Sequence, residues 1–193
     1  MKTHAKTAIA AISASIILIL AASPANASSD QPIAASVAGG GVSAVVSAVS
    51  LSNVTLDGTS AKHAAGVAAS GWSVTDARGT GSAWGLTVSG TDFTSAAGDT
   101  DLTVRTLPIG NLVITAGTIT AGTGADAAPA TAVVTTSAID QSMLVSSENH
   151  KGTYTFTPSF DLQVPINAFR SNFVHGTSGA VNPYVATLTF TVA

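Results

Sequence analysis

The chain has 193 residues, of which 46% are hydrophobic, 9% charged and 5% aromatic, with no Cys and a formal net charge of −3. This length suits one ordinary domain, and the low charge excludes a coiled coil, a charge-rich disordered tail and a basic nucleic-acid binder. The lack of Cys excludes a disulfide scaffold, a Cys-based zinc site, an iron–sulfur cluster and a thiol nucleophile.

Residues 1–27 have the three parts of an export signal. Lys2 and Lys6 give a positive start, residues 8–22 form an apolar run, and residues 25–27 (Ala-Asn-Ala) supply the small residues that signal peptidase reads. The run is shorter than the roughly 20 residues of a membrane span. We therefore predict a cleaved signal peptide and a secreted protein with no membrane span, with a retained N-terminal anchor as the alternative. No C-terminal sorting signal is recognisable, so any surface attachment is expected to be non-covalent.

The mature chain is predicted to begin with a flexible leader and to continue as one β domain. Residues 28–41 are small, polar and Gly-rich. From residue 42 to residue 193, short Val/Thr/Leu segments alternate with Gly, Asp, Asn and Pro. We predict strands near 42–56, 71–76, 84–89, 102–106, 111–120, 131–136, 153–157, 160–164 and 184–192.

These segments favour an all-β fold, an antiparallel β-sandwich in a single domain. Apolar and polar residues alternate in Trp84–Val88 and around Tyr154 and Phe156, and in the last segment the threonines share one face. A period of two places the apolar set inward and the threonines outward. The only helical alternative covers residues 41–49, where Gly and β-branched Val both disfavour a helix.

Both tryptophans fall in one segment, residues 72–93. It resembles a strand, a tight Gly turn and a second strand, so we predict a hairpin-like unit with Trp72 and Trp84 near the starts of its arms. Asp76 and Arg78 flank the turn and are able to form an exposed ion pair, worth only ~0–1 kcal/mol. Two interpretations stay open: both indoles anchor the core, or at least one is exposed and stacks on a sugar ring or a partner side chain.

Two stretches are predicted to be loops: residues 121–130, which lack any pattern, and residues 165–183. The second stretch carries Phe169, Arg170, Phe173 and His175 among Gly, Ser and Asn, which are more functional residue types than its neighbours have. Loops on a rigid β scaffold are where binding residues tend to lie.

Catalytic and metal-binding patterns are scarce. His63, His150 and His175 fit no metal-ligand spacing and are predicted to be solvated or hydrogen-bonded. There is no Gly-x-Ser-x-Gly elbow and no phosphate loop, and a glycosidase pair would have to come from isolated Asp residues and the single Glu148. We expect no catalytic residues, no metal and no cofactor, with an enzyme acting on a wall polymer as a weak alternative.

The segment VTDARGTGSAWGLTVSGTDF resembles the first half of the WxL domain of Gram-positive cell-surface proteins, with Trp84-Gly85-Leu86 at the tripeptide that names the family. The second family motif is matched near the C-terminus by residues 184–192, where Tyr184 is retained. Phe190 replaces the second Trp and Val192 replaces the final Leu. The resemblance covers about residues 42–193.

This resemblance implies a β-sandwich that attaches non-covalently to peptidoglycan or another wall glycan, often beside other WxL-type surface proteins, without catalysis. The expected ligand-binding residues are Trp84, Leu86, Trp72, Tyr184 and Phe190, and the expected location is extracellular and wall-associated. The Phe at position 190 keeps a ring but loses the indole N–H. The alternative function is a structural surface subunit that self-associates into fibres or layers by edge-strand pairing, with the leader as a donor segment.

Overall fold

The computed structural model describes residues 34–136, 138–177 and 179–193. Residues 37–193 form one compact unit. The predicted signal peptide and residues 28–33 of the predicted leader lie outside the described residues, so the domain boundaries stay a prediction. In the described part of the chain, no helix is both long enough and apolar enough to span a bilayer.

Fourteen short strands make up the described regular structure, apart from one 3₁₀ turn at Ile109–Asn111. In chain order they are β1 Val42–Val45, β2 Lys62–Val67, β3 Trp72–Asp76, β4 Gly85–Gly90, β5 Phe93–Ser95, β6 Arg105–Leu107, β7 Leu112–Thr115, β8 Thr120–Ala121, β9 Ala130–Thr131, β10 Val133–Thr135, β11 Gln141–Val145, β12 Gly152–Phe156, β13 Ser159–Val164 and β14 Leu188–Val192.

The strands assemble into three four-stranded sheets and one hairpin. The sheet orders are β1-β3-β12-β8, β10-β7-β13-β2 and β14-β4-β11-β9, and β5 pairs with β6. All the strand pairs are antiparallel. The prediction of an all-β, antiparallel sandwich-type fold is confirmed.

The period-two pattern correctly predicts which side chains face the core. In β12, Tyr154 and Phe156 are buried while Thr153 and Thr155 are exposed. In β14 the threonines are exposed, and Leu188, Phe190 and Val192 pack against the core. The buried cluster gathers Val, Leu, Ile, Met and both tryptophans from all three larger sheets.

Several strand boundaries differ from the prediction. The segment 42–56 forms a strand only at β1, with one further bridge from Val49 to Ala68. Three strands were not predicted: β2, β5 and β11. The β2 sequence, KHAAGV, has little β propensity of its own, and it is extended because all six residues pair with β13. The helical alternative over 41–49 is wrong, because Val42–Val45 pairs with β3.

The predicted hairpin over residues 72–93 is also wrong. β3 lies between β1 and β12, whereas β4 lies between β14 and β11, so the two tryptophan-bearing segments belong to different sheets. The connection over 77–84 is too long for a tight turn and passes from one sheet to the other. Trp72 and Trp84 consequently enter the core from two sheets, and their separation of twelve positions does not reflect a cross-strand pair.

Candidate functional site

Trp84, the tryptophan of the WxL tripeptide, is anchored inside the protein. Only 3% of its surface is exposed. Its backbone N–H donates to the Ser146 hydroxyl at 2.7 Å, and that hydroxyl donates to the Trp84 carbonyl at 2.9 Å. The indole Nε1–H donates to the His150 carbonyl at 2.9 Å, and the ring lies 5.8 Å from that of Tyr154. All three polar groups of the residue therefore have internal partners.

Trp72 is the centre of an aromatic cluster and is 1% exposed. Its ring meets those of Phe156, Phe160 and Phe190 edge-on, with the Phe190 centroid nearest at 4.7 Å. The indole N–H donates to the Ser47 hydroxyl at 3.0 Å. Edge-to-face pairs stabilise a core beyond simple burial, so Trp72 and Phe190 join two sheets.

The five residues predicted to bind ligand thus occupy different environments. Leu86 is fully buried on β4, opposite Leu144 and Val192, and both tryptophans match the core-anchor interpretation left open by the sequence. Phe190 is partly buried. Tyr184 is partly buried too, and its hydroxyl donates to the Phe169 carbonyl at 3.0 Å. Direct ligand contact by these five residues stays a prediction. Trp72, Trp84 and Leu86 are buried, so a ligand would reach them only if the sheets opened.

Asp76 and Arg78 form the predicted ion pair. The sequence analysis expected this pair to be exposed, but its carboxylate is buried. The Asp76 carboxylate is buried and accepts bonds from Arg78 Nε at 2.9 Å and from its terminal nitrogen at 3.0 Å. These charge-assisted bonds from Arg78 hold the pKa of Asp76 below its usual range, against an opposing contribution from burial. Arg78 also donates to the Ser82 and Ala83 carbonyls, which fixes the connection that leads to Trp84.

The histidines are hydrogen-bonded, as predicted. His63 pairs with Asp161 at 2.9 Å, His175 pairs with Asp99, and His150 Nδ1 lies 2.6 Å from the Ala127 carbonyl. Among the described residues there is no group of three or more His, Asp or Glu side chains placed to hold a metal ion.

The long loop (residues 165–187), between β13 and β14, presents the exposed aromatic rings of the domain. Phe169 is 60% exposed and Phe173 42% exposed, and Val181 and Val185 are also largely exposed. Exposed apolar side chains grouped on one segment mark interaction surfaces more often than scattered ones do. The sequence prediction singled out this loop for its residue types but did not place it among the ligand-binding residues.

An arginine lies over each exposed ring. The Arg105 guanidinium, from β6, is 3.9 Å from the Phe169 centroid, and the Arg170 guanidinium is 4.4 Å from the Phe173 centroid. Each pair is a cation–π contact. We call Phe169, Phe173, Arg105, Arg170 and Tyr184 the aryl–arginine surface. Arg105 was missed by the sequence analysis because it lies some 60 positions before the ring that it covers.

Buried hydrogen bonds dock the long loop on the β5–β6 hairpin. The Asn172 side chain, which is buried, donates to the Ala96 and Thr103 carbonyls at 2.9 and 2.8 Å, and its backbone N–H donates to the Ser95 hydroxyl. The Ser95 hydroxyl in turn donates to the Asn182 carbonyl at 2.6 Å. These bonds hold the loop at both of its arms.

Backbone contacts add to this docking. Thr94 of β5 pairs with Val185 through two hydrogen bonds of 2.9 Å. A Cβ at Gly98 would lie 2.1 Å from the Phe173 carbonyl oxygen, so only glycine allows the chain to approach so closely there. The aryl–arginine surface is therefore built on a fixed support.

Comparison with known proteins identifies a family. The model of the WxL domain, described as a surface cell wall-binding domain, matches residues 24–193. No curated protein and no solved structure matches the chain. Because the match covers most of the sequence, the chain belongs to the WxL domain family. It is accordingly a cell-surface protein associated with the cell wall.

Proposed function

We propose that this WxL domain attaches non-covalently to the peptidoglycan of the wall, without catalysis, and that the aryl–arginine surface makes the contact. The observation that carries the proposal is the exposure of Phe169 and Phe173 on a docked loop, while both tryptophans are enclosed. An arginine covers one face of each ring, and the negative face of an aromatic ring that stays open attracts the C–H groups of a sugar ring. Aromatic residues, Phe included, and Arg are also enriched at the cores of protein interfaces.

The buried WxL tripeptide has a supporting role in this proposal. Trp84, directly before β4, bonds to the His150 carbonyl between β11 and β12, and Phe190 packs on Trp72, so these residues hold together the sheets that carry the loop. Tyr184 connects the predicted residues to the surface, since its hydroxyl bonds to the backbone of Phe169. Binding would then depend on the tripeptide through the fold.

The state of the carboxylates supports a non-catalytic role. Hydrogen bonds from a neighbouring Arg or Lys lower the pKa values of Asp76, Asp101 and Asp126. Glycoside hydrolysis requires a general acid whose pKa is raised, beside a second carboxylate. These three carboxylates have the opposite tendency.

The test is sedimentation of the secreted protein with purified, teichoic-acid-free peptidoglycan. We expect the wild type to co-sediment and Phe169→Ala to bind at least tenfold more weakly, because truncation of a hot-spot ring costs about 2 kcal/mol or more. Val67→Ala is the matched control: Val67 is also exposed, at the end of β2 remote from the start of the long loop.

A second variant separates the surface from the tripeptide. Trp84→Phe keeps a buried ring but loses the indole N–H donor and part of the ring area, and it leaves the aryl–arginine surface untouched. The folded variant is therefore expected to bind like the wild type. Lost binding in folded Trp84→Phe together with normal binding in Phe169→Ala would locate the contact at the tripeptide instead. Failure of the wild type to bind peptidoglycan from several sources would refute the proposed function.

A further inference from the structure

Arg170 differs from the other cations that the structure describes. Residues 34–193 contain five Lys and Arg. Four of them form ion pairs with carboxylates: Lys62 with Asp57, Arg78 with Asp76, Arg105 with Asp101 and Lys151 with Asp126. Within the described ranges, Arg170 has no carboxylate partner; it lies over the Phe173 ring and donates one hydrogen bond, from a terminal nitrogen to the Ser171 carbonyl at 2.9 Å.

The setting of Arg170 favours capture of an external anion. A guanidinium has five N–H donors in one plane. The contact with the Phe173 ring uses none of them, and the structure shows one donated to the Ser171 carbonyl. The stack and the bond to Ser171 restrain the side chain before any ligand arrives, so less rotamer entropy is lost on binding. Arg170 itself is exposed, so a ligand has access to it.

Arg105 shows which anion suits such a stacked arginine. It stacks on Phe169 in the same way, and its Nε and terminal nitrogen donate to one oxygen of the Asp101 carboxylate at 3.1 and 2.7 Å. The same surface therefore holds two ring-stacked arginines, of which one has an internal carboxylate.

We propose that Arg170 binds a carboxylate of the peptidoglycan peptide, while Phe173 contacts the adjoining apolar or sugar group. This inference rests on the proposed function and names the ligand chemistry at that surface. A phosphate-rich wall polymer is disfavoured, because polyanion binding relies on several cations at once. Here nine Asp and Glu outnumber five Lys and Arg between residues 34 and 193, and four of those cations are already neutralised.

The test is calorimetric titration of the secreted protein with soluble disaccharide–peptide fragments of peptidoglycan. The fragments are used with free peptide carboxylates and with the same carboxylates amidated. We expect amidation to weaken wild-type binding about tenfold, and Arg170→Gln to weaken binding of the free acid about tenfold, since a charge-assisted hydrogen bond is lost in each case. In Arg170→Gln, amidation should have no further effect, because the two changes remove the same contact.

Two further variants control for charge and geometry. Lys151→Gln also removes one positive charge, but Lys151 is already paired with Asp126. This variant should therefore bind the fragments with free carboxylates like the wild type. Arg170→Lys keeps the charge but loses the planar fork, so its affinity should fall between those of wild type and Arg170→Gln. If Lys151→Gln and Arg170→Gln lose equal amounts of affinity, the effect comes from net charge alone and the inference is wrong.

The remaining outcomes separate this inference from the proposed function. If Phe169→Ala loses binding while Arg170→Gln and the amidated fragments bind normally, the surface is the contact but Arg170 does not read a carboxylate. If a purified teichoic acid polymer binds more tightly than the fragments in an Arg170-dependent way, the ligand is a phosphate. If the wild type binds no fragment and no intact peptidoglycan, both proposals fail.

Discussion

The WxL-bearing segment and the long loop use aromatic side chains in opposite ways. In residues 72–88, Trp72 and Trp84 are 1% and 3% exposed, and both indole N–H groups have internal acceptors. In the long loop, Phe169 and Phe173 leave much of their surface to solvent, and arginines lie over their rings. The segment with the most recognisable sequence is therefore internal, and the less distinctive loop is external.

This difference teaches that a motif named after its tryptophan need not present that tryptophan to a ligand. The indole is the largest apolar side chain available to fill a core, and an internal acceptor for its N–H removes the cost of burying that polar group. Substitutions in the two regions should therefore separate the stability of the fold from its affinity for the wall.

Trp84→Ala should have the largest effect on stability. Replacing a buried Trp by Ala leaves a cavity and typically lowers the free energy of unfolding by about 3–5 kcal/mol. Here it also leaves the His150 carbonyl without its donor. Urea denaturation at neutral pH measures the loss, with Phe169→Ala as the comparison. The exposed Phe169 should change stability by less than about 0.5 kcal/mol, and equal losses in the two variants would contradict the distinction.

Asp76→Asn should have the next largest effect, about 2 kcal/mol, because the variant loses charge-assisted bonds to Arg78 in a buried position. The pKa of Asp76 is lower in the folded protein than in the unfolded chain. The charge of Asp76 therefore stabilises the folded protein fully at pH values above its unfolded pKa of about 3.9. This stabilisation is lost as the pH falls through its lower pKa in the folded protein.

Thermal unfolding at several pH values tests this linkage. The difference in Tm between wild type and Asp76→Asn should be constant from pH 7 to about pH 5 and should shrink as the pH is lowered further. Asp57→Asn is the comparison variant: a bond from Lys62 also lowers the pKa of Asp57, but this carboxylate is exposed, so solvent screening should leave a smaller Tm difference than Asp76→Asn gives. A Tm difference that persists unchanged to the lowest pH would mean that the charge of Asp76 does not contribute.

The sequence was sufficient to predict the fold class and the faces of most strands. Alternation at Tyr154 and Phe156 and in β14 is a local pattern, and the structure keeps it. The pairing of strands could not be predicted in the same way. β3 and β4 look like a hairpin because they are close in sequence. In the structure, β3 pairs with β12, and β4 pairs with β11 and β14, all of them more than 50 positions away.

The candidate site could be predicted only in part, for a related reason. The sequence shows that residues 165–183 contain Phe, Arg and His, and on that basis it predicts a functional loop. Whether Trp84 or Phe169 reaches solvent depends on tertiary packing. A single sequence does not show that packing, so the larger and rarer tryptophan was predicted to be the binding residue. Residue type alone does not separate a core anchor from a contact residue.

Asn172→Ala should have a smaller effect on global stability than Trp84→Ala or Asp76→Asn, and a clear local effect. The Asn172 amide joins the long loop to the Ala96 and Thr103 carbonyls, and the loop can detach without the sheets opening. We therefore expect the free energy of unfolding to fall by about 1 kcal/mol or less, because the two carbonyls form hydrogen bonds to water when the loop detaches. Amide hydrogen exchange should accelerate over residues 165–187 and stay unchanged in β12.

Peptidoglycan binding by the same variant connects the two regions. If the affinity of the aryl–arginine surface depends on its docked support, Asn172→Ala should bind several-fold more weakly although its sheets are intact. Asn167→Ala, an exposed amide in the same loop, is the control and should match the wild type in exchange and in binding. Faster exchange without weaker binding would show that the rings act without a fixed support, and the preorganisation argument would then fail while the contact itself remained.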